Sequence, residues 1–203
     1  MSPFEYFRWL KKEWAKVGVI LAIFLFLFLF IFVRQYDPIV FVLLLQTPLY
    51  MLHQSEEYIF PGGFAEFFNT RIFNLETKNK PLDETFIFYV NVILIWIVLP
   101  AFGLLSTVDY GFGLWIPYFS FFAGVAHVVL ALKARRRYNP GLVVSLFINI
   151  PAGLWSVFYL LRQGIIENFF LNVHFFIGLA VNGILPVMGV VLLRNYQKRQ
   201  HYT

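Results

Sequence analysis

One short stretch concentrates the chemistry of this chain. His53-Gln54-Ser55-Glu56-Glu57 closes the otherwise apolar run 39–60. Ionisable groups are costly in such surroundings and mark function where they occur. On an α-helix each residue turns by ~100°, so Glu57 is offset ~40° from His53 and Glu56 ~60° to the other side. Glu57 also lies one turn along and stacks beside the imidazole, the position of a co-ligand. Glu56 projects to the flank, where it is better placed to move a proton. Together the three side chains can converge on a metal ion, a proton or a polar headgroup.

Other polar residues lie inside apolar runs: Asn91, His127, Asn149, His174 and Asn182. A helix rise of ~1.5 Å per residue converts position into depth. His53, His127 and Asn182 come to roughly 21–22 Å from the outer ends of their runs. Asn91 and Asn149 come to about 10 and 14 Å from the inner ends. In a hydrocarbon core of ~30 Å these five share the inner half. Tyr138-Asn139-Pro140-Gly141 reads first as a helix-to-helix turn. Its functional reading is a cap over the inner mouth, with Tyr138 in the supporting layer. His174 falls about 10 Å from the outer end and misses the layer. The asparagines read first as interhelical hydrogen-bonding glue that orients the site. His201 belongs to the basic tail.

The leading chemistry is one divalent metal held by His53, Glu57 and His127, zinc ahead of iron. Two histidines and a carboxylate leave a coordination position open. Glu56 is then the general acid or base. One alternative needs no metal: two adjacent carboxylates in low dielectric cannot both ionise cheaply, so a protonated Glu beside a His makes an acid–base pair for isomerisation or hydration. A third reading is a small proton-coupled transporter, though no inverted repeat with paired broken helices is evident.

His53-x-x-Glu56-Glu57, a later His127 and then Tyr138-Asn139-Pro140-Gly141, all among hydrophobic segments, resemble the HXXEE family of bacterial integral membrane proteins. The likeness covers roughly residues 40–190 and leaves out the first hydrophobic segment. It implies a bacterial cytoplasmic membrane setting and marks these residues as the ones to watch. It carries no activity with it.

The elements that must position these groups are membrane helices. The chain is 60% hydrophobic and 13% charged, against about 45–50% and 25% in an ordinary soluble domain. It has no cysteine, which excludes disulfides and thiolate ligands. Apolar runs predict six transmembrane helices near 17–33, 39–60, 84–105, 112–132, 140–161 and 167–193. Short interfacial helices are expected over 3–16 and after the second span. The fold class is therefore all-α, a polytopic helix bundle. Residues 1–38 form an interfacial helix and peripheral anchor, and 39–203 a five-helix core. With six spans, fourteen Lys and Arg fall on one side and only Arg34 and Arg162 on the other. The positive-inside rule then puts both termini in the cytoplasm. Basic residues spread over span ends point to lipid headgroups and exclude nucleic acid as partner. With no soluble domain to collect a polar metabolite, the substrate is expected to be a hydrophobic small molecule from the bilayer.

Overall fold

The computed structural model describes residues 2–200, so His201 lies outside it. The fold is all-α. Seven helices follow one another: α1 (Pro3–Tyr36), α2 (Pro38–Tyr58), a short α3 (64–72), α4 (Glu84–Leu105), α5 (Ile116–Lys133, led by a 3-10 turn Tyr110–Phe112), α6 (Leu142–Arg162) and α7 (Val173–Gln200). Helix α2 is central. It packs against α1, α4, α5 and α6, while α7 packs on the far side of α5.

Local chemistry explains why α2 starts and stops where it does. Asp37 caps it, its carboxylate accepting from the main-chain N–H groups of Ile39 and Val40 at 2.9 and 3.0 Å. Pro38 stands in the first turn, where a missing N–H costs nothing. The Tyr110 hydroxyl donates to the other Asp37 oxygen at 3.1 Å and ties this end to α5. At the far end Gly62 and Gly63 take φ of 73° and 88°, a backbone region that favours glycine, and turn the chain into α3.

Five segments are long and apolar enough to cross a membrane: α1, α4, Tyr110–Lys133, α6 and α7. This is the make-up of an integral membrane protein whose outer faces meet lipid. The sixth expected span, α2, is not among them. Its 21 residues suffice at ~20 per crossing, but Gln46, Thr47, His53, Gln54, Glu56 and Glu57 dilute its apolar character.

The boundaries of α1 and α7 depart most from expectation, and α7 also runs on to Gln200, seven residues past the expected 193. The interfacial segment 3–16 and the first span form one continuous 34-residue helix, because no proline or cap interrupts the run after Pro3. Helix α7 begins at Val173, six residues later than its apolar run. Asn172 acts there as a helix cap, its side-chain oxygen accepting from Phe175 N–H at 2.9 Å. Two π-helical turns matter to the site's frame. Val92–Val98 precedes Pro100 and Ser145–Asn149 precedes Pro151. Each proline lacks the N–H that would close the preceding turn, so that turn widens.

Candidate metal centre

His53 and Glu57 stand one turn apart on α2, and His127 faces them from α5. His53 Nε2 and His127 Nε2 lie 3.1 Å apart. One Glu57 oxygen lies 3.5 Å from the first and 3.3 Å from the second. All three residues are buried. Tetrahedral zinc with bonds of about 2.0–2.1 Å requires ligand atoms roughly 3.3 Å apart. The triangle fits. His53, Glu57 and His127 could therefore hold a metal ion, and they are the group of ligand-type side chains that converges in this way among the described residues.

The surroundings fix which ring nitrogens face the triangle's centre. Asn139 is buried in the loop after α5. Its amide nitrogen donates to the main-chain carbonyl of His127 at 2.8 Å. Its oxygen then lies 2.8 Å from His127 Nδ1, so Nδ1 carries the hydrogen and Nε2 presents a lone pair. Ser145, in the first turns of α6, places its hydroxyl 3.5 Å from His53 Nδ1 and leaves Nε2 of that ring inward as well. Hydrogen bonding of the outer ring nitrogen is the usual way in which a ligand histidine is oriented.

Gly141 makes the close approach possible. With φ of 96° it turns the loop into α6. A Cβ here would stand 2.5 Å from His127 Cε1 and 2.8 Å from His53 Cε1. Any larger residue would push into both imidazoles. The loop is thus packed directly onto the two rings.

Glu56 points elsewhere. Its two carboxylate oxygens accept from the main-chain N–H groups of Val143 and Val144 at 3.1 and 2.6 Å. These are otherwise unpaired donors at the start of α6, where a negative charge also complements the helix dipole. The Tyr138 phenol lies against the same carboxylate. Burial first, and then the Glu56 charge, raise it well above the usual tyrosine range. Adjacent glutamates therefore occupy different settings: Glu57 in the triangle, Glu56 clamping α6 onto α2.

The asparagines divide. Asn91 accepts from Gln54 Nε2 at 2.9 Å and donates to the Tyr58 hydroxyl at 3.2 Å. Tyr58 in turn lies beside Glu57. Asn91 therefore links α4 to the site helix. Asn149 is buried on the face of α6 that carries Ser145, and its carboxamide finds no partner among the described residues. Asn182 is half-buried on α7 and outside the triangle. His174, in the first turn of α7, does not join it either.

Sequence reasoning gave Gln54 and Ser145 no place in the site, and marked Asn139 and Gly141 only as members of the Tyr138–Gly141 motif, without a role of their own. Tyr138-Asn139-Pro140-Gly141 reads as a turn from sequence alone. A signal was present all the same. An amide and a glycine at a helix-to-helix turn follow His127 by only 12 and 14 residues, and Ser145 comes four residues after Gly141 in an otherwise apolar start to α6.

The chain belongs to the HXXEE family. The family model, described as a protein of unknown function with HXXEE motif, matches residues 44–156. That segment runs from α2 into α6 and encloses the triangle, Asn139, Gly141, Ser145 and the Glu56 clamp. Helix α7 falls outside it, as α1 does. No curated protein and no solved structure matches the chain.

Proposed function

We propose that this protein is a membrane-embedded metalloenzyme that holds one divalent metal, zinc ahead of iron, between His53, Glu57 and His127, and acts on a lipid or other hydrophobic substrate. The observation that carries this reading is the triangle itself. Two imidazole Nε2 atoms and a carboxylate oxygen face one another across 3.1, 3.3 and 3.5 Å. With both imidazoles neutral and their Nε2 lone pairs turned inward, the three atoms repel in a dry interior unless a cation lies among them.

A metal of this kind, when bound, supplies Lewis acidity and an activated water to the reaction. The chain's own residues do the rest. Asn139 and Ser145 orient the two rings. Glu57 supplies the negative charge, Tyr58 and Asn91 hold that carboxylate in place, and Glu56 anchors α6. With both Glu56 oxygens engaged by main-chain donors, we assign it a positioning role before a proton-carrying one.

We further propose that α2 crosses the membrane as a sixth span. It is ringed by spanning helices, and it can afford its polar residues because its neighbours, not lipid, surround them. Both termini then lie in the cytoplasm, by the fourteen-to-two partition of Lys and Arg.

Elemental analysis of the purified protein tests the metal. Stoichiometric zinc or iron is expected in wild type and its loss in Glu57→Gln and His127→Ala. Wild type without metal, yet active, would sink the proposal. The acid–base alternative would then take its place, since 3.1 Å between two Nε2 atoms is also the length of a hydrogen bond sharing one proton.

A further inference from the structure

Three helices carry a second polar layer away from the Asn139–Gly141 loop. On α2 it is Gln46, seven residues before His53; on α5 it is Ser120, seven residues before His127; on α6 it is Ser156, seven residues beyond Asn149. Seven residues return nearly to the same face of a helix and advance it roughly 10 Å. Gln46 Nε2 donates to Ser156 Oγ at 2.9 Å, which brings two of the three helices together at this level.

Several polar atoms along this face lack partners. Gln46 Oε1, Ser120 Oγ and both polar atoms of Asn149 meet no hydrogen-bonding group among the described residues. Their residues are 0%, 1% and 0% exposed. Asn149 stands between the two layers. It is one widened turn along α6 from Ser145, and a Cβ on Gly124, itself between Ser120 and His127, would lie 3.3 Å from its Cβ. Buried amides and hydroxyls are nearly always satisfied, by protein or by ordered water. Here the unpaired set comprises an amide donor, two carbonyl acceptors and a hydroxyl. A carboxylate is missing from that set, so its chemistry suits neutral water, not a cation.

We infer that a file of ordered water occupies the junction of α2, α5 and α6, running from Gln46 and Ser120 past Asn149 to the histidine–glutamate triangle. Beyond Gln46 and Ser156 the bundle is closed by the buried apolar cluster of Ile39, Leu43, Leu114, Val157 and Leu160. The file is therefore blind at that end. It holds water within reach of the triangle and does not conduct through the membrane, so Asn149 and Ser120 are positioning residues for that water. What the water is used for rests on the metalloenzyme reading; where it lies does not. Thr47 is also buried and finds no partner among the described residues, but it lies on a different face of α2.

X-ray radiolytic hydroxyl labelling of the full chain in lipid nanodiscs, read by mass spectrometry, tests this, because buried side chains are modified where ordered water adjoins them. Tyr50, whose ring lies 5.0 Å from that of His53 and 5.3 Å from that of Phe119, is the reporter together with Phe119. The expected result is modification of both in wild type, none at Leu43 and Leu160, and loss of the Tyr50 and Phe119 signals in the Ser120→Ala, Asn149→Leu double variant with metal content unchanged. Absence of both signals in wild type overturns the inference, and so does their persistence in the double variant. If that variant does not fold, the wild-type pattern and Ser120→Ala alone, which removes one oxygen, decide it in the same way. Metal content measured on the same samples keeps the two claims apart: wild type labelled but metal-free refutes the metal and leaves the water.

Discussion

Helices α1 and α2 follow each other directly and could hardly differ more. Helix α1 is the more obvious membrane segment, with its Phe/Leu run, yet it buries only a narrow stripe: Trp14, Ala15, Gly18, Ala22 and, in its last turns, Leu29. Ile20, Phe24 and Leu27 on its other faces are exposed to the surrounding phase. Helix α2 is less apolar and buries sixteen of its 21 residues, including His53, Gln54, Glu56 and Glu57. In a bilayer a side chain that meets lipid must be apolar, whereas one that meets other helices is free to be polar if its groups are paired. High hydropathy therefore marks the periphery, and its local loss marks the centre.

That contrast can be broken, and Gly141→Ala should break it most severely. The new methyl meets both imidazoles in a backbone conformation that disfavours any Cβ. Overpacking of this kind costs about 1–3 kcal/mol before backbone strain is added. Loss of metal and a clear drop in the unfolding midpoint in detergent are expected. The matching glycine on α1 gives the control. A Cβ on Gly18 would lie 3.1 Å from the Trp96 ring and touch neither imidazole, so at most that one ring has to give by a few tenths of an ångström. Gly18→Ala should therefore leave metal content unchanged. If both variants behave alike, the centre is no more tightly specified than the periphery.

Next in size is Glu56→Ala. It strips two charge-assisted hydrogen bonds from the start of α6, worth about 2 kcal/mol of stability, and should leave metal bound. Thermal unfolding and metal analysis on one sample check it. Full stability with lost turnover would instead make Glu56 the proton carrier that its flank position first suggested.

Asn139→Ala should act on the ring of His127 and not on the fold. Losing such an orienting partner typically costs ~10–100-fold in metal affinity, to be read by competition with a chelator of known affinity. An unchanged affinity would mean that the ring is held by packing alone. At the small end, Leu27→Ala on the outer face of α1 should shift stability by no more than about 0.5 kcal/mol and leave the metal untouched.

Much of this is legible in the sequence. The ends of α4 coincide with its apolar run, and α2 and α6 differ from theirs by no more than two residues, because the runs end in Pro, Gly, Asp or basic residues that cannot stay in the interior. His53, Glu57 and His127 stood out as polar residues where polarity is expensive. Their spacing and depth were enough to bring them to one level. Partner choice was not legible. Nothing in adjacent Glu56 and Glu57 says that one turns to the first turn of α6, since main-chain N–H groups leave no mark in a sequence. Nor does Asn139 announce that it reaches back to His127, because that contact depends on the loop's path. The start of α7 is hidden for a related reason: Asn172 caps a helix that hydropathy alone would begin earlier.

The central claim is that three named atoms form a ligand set. X-ray absorption at the metal edge tests it most directly, on wild type and on His127→Ala reconstituted with excess metal. The expected wild-type spectrum has two imidazoles and one carboxylate oxygen at about 2.0–2.2 Å, with one imidazole lost in the variant. A metal surrounded by oxygen alone, or a spectrum that His127→Ala leaves unchanged, contradicts the account.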